Sequence, residues 1–163
     1  MSRIIPDEQV LDTVAKQFLA ALPHSVKLGM TIMEIDFSSV TVQLPWSEQI
    51  VGNPETGVVH SGVLTTLMDT ACGICSICAL ANVEACPTLD LRIDHMKVPV
   101  SGKPLYATVE PYRVTKSIVF TRGTAWQESP DDPIAHAVGT FMRLGPLAAI
   151  KKDKSKSKQG EES

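Results

Sequence analysis

The segment Gly62–Leu80 constrains this chain more than any other, because it is apolar or small almost all round and carries a single charge, Asp69. A helix with no polar face must be enclosed by the rest of the fold, so the segment predicts a central helix rather than a surface one. An ionised carboxylate inside such a helix is costly unless it is paired or used, which makes Asp69 the most informative residue in the sequence.

The surrounding pattern is that of strands. An amphipathic helix is expected near the start, where Pro6, Asp7 and Glu8 suit a helix N-terminus and Val10, Leu11, Val14, Phe18 and Leu22 form an apolar stripe. From Lys27 the period shortens to two, and the runs on either side of the Asp36-Phe37-Ser38-Ser39 turn read as a hairpin closed by Pro45. Four further strand-like runs follow the apolar segment: Thr88 to Val98, Leu105 to Val114, Ile118 to Gln127 and Ile134 to Leu144. Six strands around one buried helix make an α+β architecture, in which strands segregate from the helix instead of alternating with it.

Composition narrows the function classes. The last thirteen residues hold five Lys and three acids, so the body before them has 10 bases against 15 acids. An acidic body disfavours nucleic acid, whose phosphates are bound by clustered Lys and Arg. A chain of 163 residues buries roughly 70% of its unfolded surface and needs no disulfide or structural metal. We therefore expect one domain over residues 1–145 and a Lys-rich disordered tail over 146–163, which lacks the apolar surface to offset ordering entropy. No apolar leader follows the N-terminus, and the central segment, interrupted by His60, several Thr and Asp69, reads as too polar for a bilayer span. A cytoplasmic location is expected, with four reduced cysteines.

Just upstream of the central helix, Asn53-Pro54-Glu55-Thr56-Gly57-Val58-Val59-His60-Ser61-Gly62 is a turn-rich loop that delivers polar groups to the helix start. The first N–H groups there have no intrahelical acceptor and lie at the positive end of the helix dipole, so Ser61 and Gly62 are candidate oxyanion donors. Gly62 and Asp69 share a helical face but stand ~10 Å apart along the axis. A base must come within roughly 3 Å of the atoms it acts on, so one helix cannot close the site. The spacing implies a composite site across a two-fold interface, with Asp69 of one subunit serving the helix start of another.

The residues His60-Ser61-Gly62-Val63-Leu64, Asp69 nine positions after His60, and the strand Thr88-Leu89-Asp90-Leu91-Arg92-Ile93-Asp94-His95 resemble the PaaI-like acyl-CoA thioesterases of the hotdog superfamily. The resemblance spans about 27–144. It implies a hotdog fold, a long central helix wrapped by a curved six-stranded antiparallel sheet, assembled as a homodimer or a dimer of dimers. It also implies hydrolysis of acyl-CoA to a free carboxylic acid and CoA without a cofactor or metal. On that likeness Asp69 is the general base or nucleophile, the Ser61 N–H polarises the thioester carbonyl, His60 supports that geometry, and Asn53 orients water or substrate. Ser61 stands where the family usually has Gly. Thr88 and the loop Gly57 fall on the substrate side. A thioester carbonyl is electrophilic and a thiolate leaves readily, so one base and an oxyanion hole suffice, and activity should fall at acidic pH.

Other clusters carry less. Cys72, Cys75 and Cys78 recur every three residues and Cys86-Pro87 follows, but seven residues precede the last cysteine where a ferredoxin run has three. Asp90, Arg92 and Asp94 read as an ion-pair ladder on one strand face, and His24, His95 and His136 as surface or packing residues. The competing readings are a non-catalytic acyl-CoA-binding protein, and a hotdog hydratase or dehydratase with His60 as the proton-transfer group.

Overall fold

The computed structural model describes residues 8–146. All of the expected tail but its first residue, Pro146, therefore lies outside the described residues, as do Pro6 and Asp7 of the expected helix start. In chain order the elements are α1 (Glu8–Ala20), α2 (Pro23–Lys27), β1 (Thr31–Ile35), β2 (Val40–Leu44), a 3-10 turn (Glu48–Ile50), β3 (Val51–Asn53), β4 (Val58–Val59), α3 (Ser61–Cys78), β5 (Thr88–His95), β6 (Leu105–Val114), β7 (Ile118–Trp126) and β8 (Ala135–Met142).

Six strands form one antiparallel sheet in the order β1-β2-β6-β7-β8-β5, and β3 and β4 make a small separate ribbon. The alternation predicted from the sequence is visible in burial. Leu105, Ala107 and Val109 of β6 and Ala135, Ala137, Gly139 and Phe141 of β8 are buried, while the residues that alternate with them are not. Period two places one set on the inner face, and α3 lies against it. Leu64, Leu67, Met68, Ala71, Ile74 and Cys75 of α3 fill that concavity.

Two expectations are corrected. The N-terminal helix buries Leu11, Ala15 and Leu19, a line one position round from the predicted stripe; Val10 is exposed, and Val14 and Phe18 are half-buried. The helix packs on both α3 and β1, which rotates the contact line away from the most hydrophobic row. The central helix is also apolar enough for a membrane by length and composition, with a mean hydropathy of 1.3 over 18 residues, contrary to the reading of its polarity. Its place in the core is set by burial: 67% of that stretch is covered by the sheet and α1.

The loop before α3 is more ordered than the sequence suggests. β3 and β4 pair across a turn in which the Asn53 carbonyl accepts from Thr56 and Gly57 N–H, and Asn53 Oδ1 accepts from Glu55 N–H at 2.9 Å. Gly57 closes that turn at φ +68°, the left-handed region that glycine adopts without strain, and a Cβ there would also collide with Ser101 Oγ.

Candidate active site

The start of α3 is built by His60. It is the N-cap residue, with extended backbone, and its Nδ1 accepts from the Gly62 N–H at 3.0 Å. An Nδ1 that accepts must be unprotonated, so in the neutral ring the proton sits on Nε2. His60 is itself fixed to the 3-10 turn by its N–H donating to the Ile50 carbonyl at 2.9 Å. Gly52 permits that approach, because a Cβ on it would lie 2.8 Å from His60 Cα. Neither contact was foreseen, since the turn and the β3–β4 ribbon bring residues ten positions apart together.

This geometry divides the two candidate oxyanion donors. The Gly62 N–H is spent on the His60 ring, which corrects its expected role. The Ser61 N–H, at the first helical position, has no acceptor among the described residues. Replacement of the usual glycine by Ser61 is unstrained, because every positive φ among the described residues belongs to a glycine.

Asp69 lies two turns further along α3. It is half-buried rather than enclosed, a departure from the expected fully buried acid: its side of the helix faces a cavity instead of the sheet. Thr88 Oγ1, at the start of β5, donates to Asp69 Oδ1 at 2.9 Å, so two residues singled out separately in the sequence are hydrogen-bonded. The cavity measures about 360 Å³ and is bounded by Phe18, Leu22, Gly73 and Phe141 besides that pair. Within one chain the structure thus presents two separated groups, Asp69 with Thr88 and the helix start with His60, Ser61 and Gly62. Asn53 and Gly57 shape the hairpin turn beyond the second.

The remaining clusters are structural. Arg92 and Asp94 form an exposed ion pair on β5 at 3.0 Å, half of the expected ladder. All four cysteines are free and buried, and burial pushes the Cys72 and Cys78 thiols up to about 12. His24 and His95 are exposed and His136 is half-buried.

A curved antiparallel sheet around one long helix, with a carboxylate on that helix and a histidine-capped N-terminus, defines the hotdog class. The sequence model of the thioesterase superfamily matches residues 56–134. A crystal structure of a Pseudomonas aeruginosa protein is 52% identical, superposes with a TM-score of 0.76, and is covered over 99% of its length by 82% of this chain. The medium/long-chain acyl-CoA thioesterase YigI of Escherichia coli is 26% identical in an alignment that covers 87% of this chain and 99% of that protein. The E. coli PaaI protein shares the fold at 21% identity with a TM-score of 0.70, covering 83% of this chain and 97% of that one. Residues 56–134 of this chain thus carry the thioesterase-superfamily pattern, on the hotdog fold that PaaI shares.

Proposed function

We propose that the protein hydrolyses acyl-CoA thioesters to free carboxylic acid and CoA, with Asp69 as the catalytic carboxylate and the Ser61 N–H of a second subunit as oxyanion donor. The observation that carries this reading is the Thr88-held carboxylate of Asp69 in the wall of an apolar cavity. Such a carboxylate can deprotonate a water or attack the acyl carbon directly, and the thiolate of CoA departs without a metal or a redox group. The YigI relatives, named as acyl-CoA thioesterases, support the substrate class.

The dimer is supported by where the two groups lie. Asp69 and Ser61 are eight residues apart on one straight helix, ~12 Å by helical rise. β5 is an edge strand of eight residues that is largely exposed, with Leu89 54% accessible, and it carries Thr88 beside Asp69. An open edge of that length invites pairing with another chain. In the proposed dimer the partner's helix start lies opposite Asp69.

Asp69→Asn tests the reading. The amide keeps the hydrogen bond to Thr88 but is a far poorer base and nucleophile, so thiol release from acyl-CoA should drop by at least a hundredfold while ligand affinity persists. Unchanged turnover would identify a binding protein or a contaminating hydrolase. If His60 instead moved protons in a hydratase, double-bond chemistry without thiol release would be seen. Its Nδ1 is already committed to Gly62, which leaves only Nε2 for that task.

A further inference from the structure

Two cavities meet at Phe18. The one of about 360 Å³ has Asp69 and Thr88 in its wall, and a second of about 330 Å³ is lined by Val14, Ile77, Val83 and Glu84. Phe18 and Ala85 border both. The helix face beneath them is Asp69, Gly73 and Ile77, spaced by four residues, so a single stripe of α3 runs under both cavities for ~12 Å.

Gly73 is the anomaly in that stripe. Glycine in a helix interior is less stable than alanine by ~1 kcal/mol, and here it sits buried in the middle of an 18-residue helix. Packing does not demand it. A Cβ at Gly73 would stand 3.9 Å from Phe141 Cε1 and 4.0 Å from Phe18 Cε1, ordinary contact distances. The absent methyl leaves width between the two aromatic rings, one turn beyond the carboxylate.

We propose that Gly73 and Phe18 determine acyl-chain specificity, the chain passing from the thioester at Asp69 over Gly73, between Phe18 and Phe141, toward Ile77. The proposal rests on the acyl-CoA reading above. Gly73 provides the width, and Phe18 is the partition that limits how far the tail reaches. The walls suit a hydrocarbon. The charged group of the second cavity, Glu84, is already engaged by Arg143, whose Nη2 donates to Oε1 at 2.6 Å and Nε to Oε2 at 3.1 Å. An occupant there gains by removing apolar surface from water, not by ion pairing.

The test compares butanoyl-, octanoyl- and palmitoyl-CoA as substrates, together with the affinities of the matching S-alkyl-CoA thioethers, which do not hydrolyse. For Gly73→Ala the octanoyl-to-butanoyl ratio of kcat/KM should fall about tenfold, the scale on which one methylene is discriminated in an apolar pocket. Its thermal midpoint should not fall, since the methyl meets no clash. For Phe18→Ala, which joins the cavities, the palmitoyl-to-octanoyl ratio should rise about tenfold. The thioether affinities should follow the same ratios. Ratios within twofold of the unaltered protein in both variants would overturn the proposal, as would a Gly73→Ala that loses stability without altering them. A protein that hydrolyses none of the three substrates refutes the acyl-CoA hydrolase reading, and the thioether affinities then judge the two residues by themselves.

Discussion

Thr88 Oγ1 engages Oδ1 of Asp69 and leaves Oδ2 without a protein partner among the described residues. One oxygen is anchored and the other is left open, which fixes the carboxylate without using it up. Thr88→Val keeps the shape and removes the donor. We expect kcat to fall about tenfold, equivalent to about 1.4 kcal/mol, with KM little changed, and steady-state kinetics on a single acyl-CoA would show it. A larger effect on KM than on kcat would make Thr88 a substrate contact instead. The cysteines offer a residue-scale check of the core. Burial holds the Cys72 and Cys78 thiols up to about 12 and raises those of Cys75 and Cys86 as well, so thiolate is scarce at neutral pH. An aromatic disulfide reagent should label the native protein slowly and all four thiols at once in denaturant; rapid native labelling would contradict the packing of α3.

At the scale of elements, the loop between α3 and β5 is held by an ion pair besides backbone hydrogen bonds from the Met142 and Leu144 N–H groups to the Pro87 and Ala85 carbonyls. Glu84 is 5% exposed and accepts two hydrogen bonds from Arg143, whose Nη1 also donates to the Thr115 carbonyl at 2.7 Å. The contact fastens the loop that walls both cavities to the end of β8 and the β6–β7 turn. Removing one partner strands a buried charge, so Arg143→Ala should cost about 3 kcal/mol in denaturant unfolding, far more than loss of an exposed pair such as Arg92 with Asp94. The β1–β2 turn makes a pH prediction. Asp36 is held below its usual 3.8 by the Ser38 hydroxyl first; burial, the next largest influence, opposes this, and the Ser38 and Ser39 N–H groups add to the lowering. A depressed carboxylate stabilises the fold above its unfolded value, and that contribution disappears as pH falls through the lower folded value. Asp36→Asn should therefore flatten the loss of stability below about pH 4, read as the midpoint of thermal unfolding, and leave stability near pH 3 closer to that at neutrality than in the unaltered protein.

The whole molecule poses the question of whether its two reactive groups act within one chain or between two. Ser61→Pro answers it cleanly. Position 61 is the first of α3, where proline is well tolerated, and His60 before it has φ −65° and ψ 131°, the extended conformation that a following proline requires. The substitution deletes the proposed oxyanion donor and keeps the helix. Ser61→Pro and Asp69→Asn should each be inactive alone. Unfolded and refolded together, they should recover about a quarter of the original activity, because half of the dimers are mixed and each mixed dimer has one intact site of two. No recovery would mean that Asp69 and Ser61 act in the same chain, and the interface proposal would fall.

Much of this was legible from local pattern. A helix without a polar face has to be enclosed, and period-two alternation has to lie on a sheet, so the order of the six strands' segments and the buried course of α3 follow from residue types and spacing. Asp69 stood out for the same reason, as the single charge in an apolar run. Long-range geometry was not legible. The docking of His60 on Ile50 past Gly52, the capture of the Gly62 N–H by the His60 ring, the half-exposed setting of Asp69 and the partition at Phe18 all depend on which distant segments meet. Periodicity reports which face of an element is buried. What it is buried against, and where a gap remains, is decided only when the elements pack.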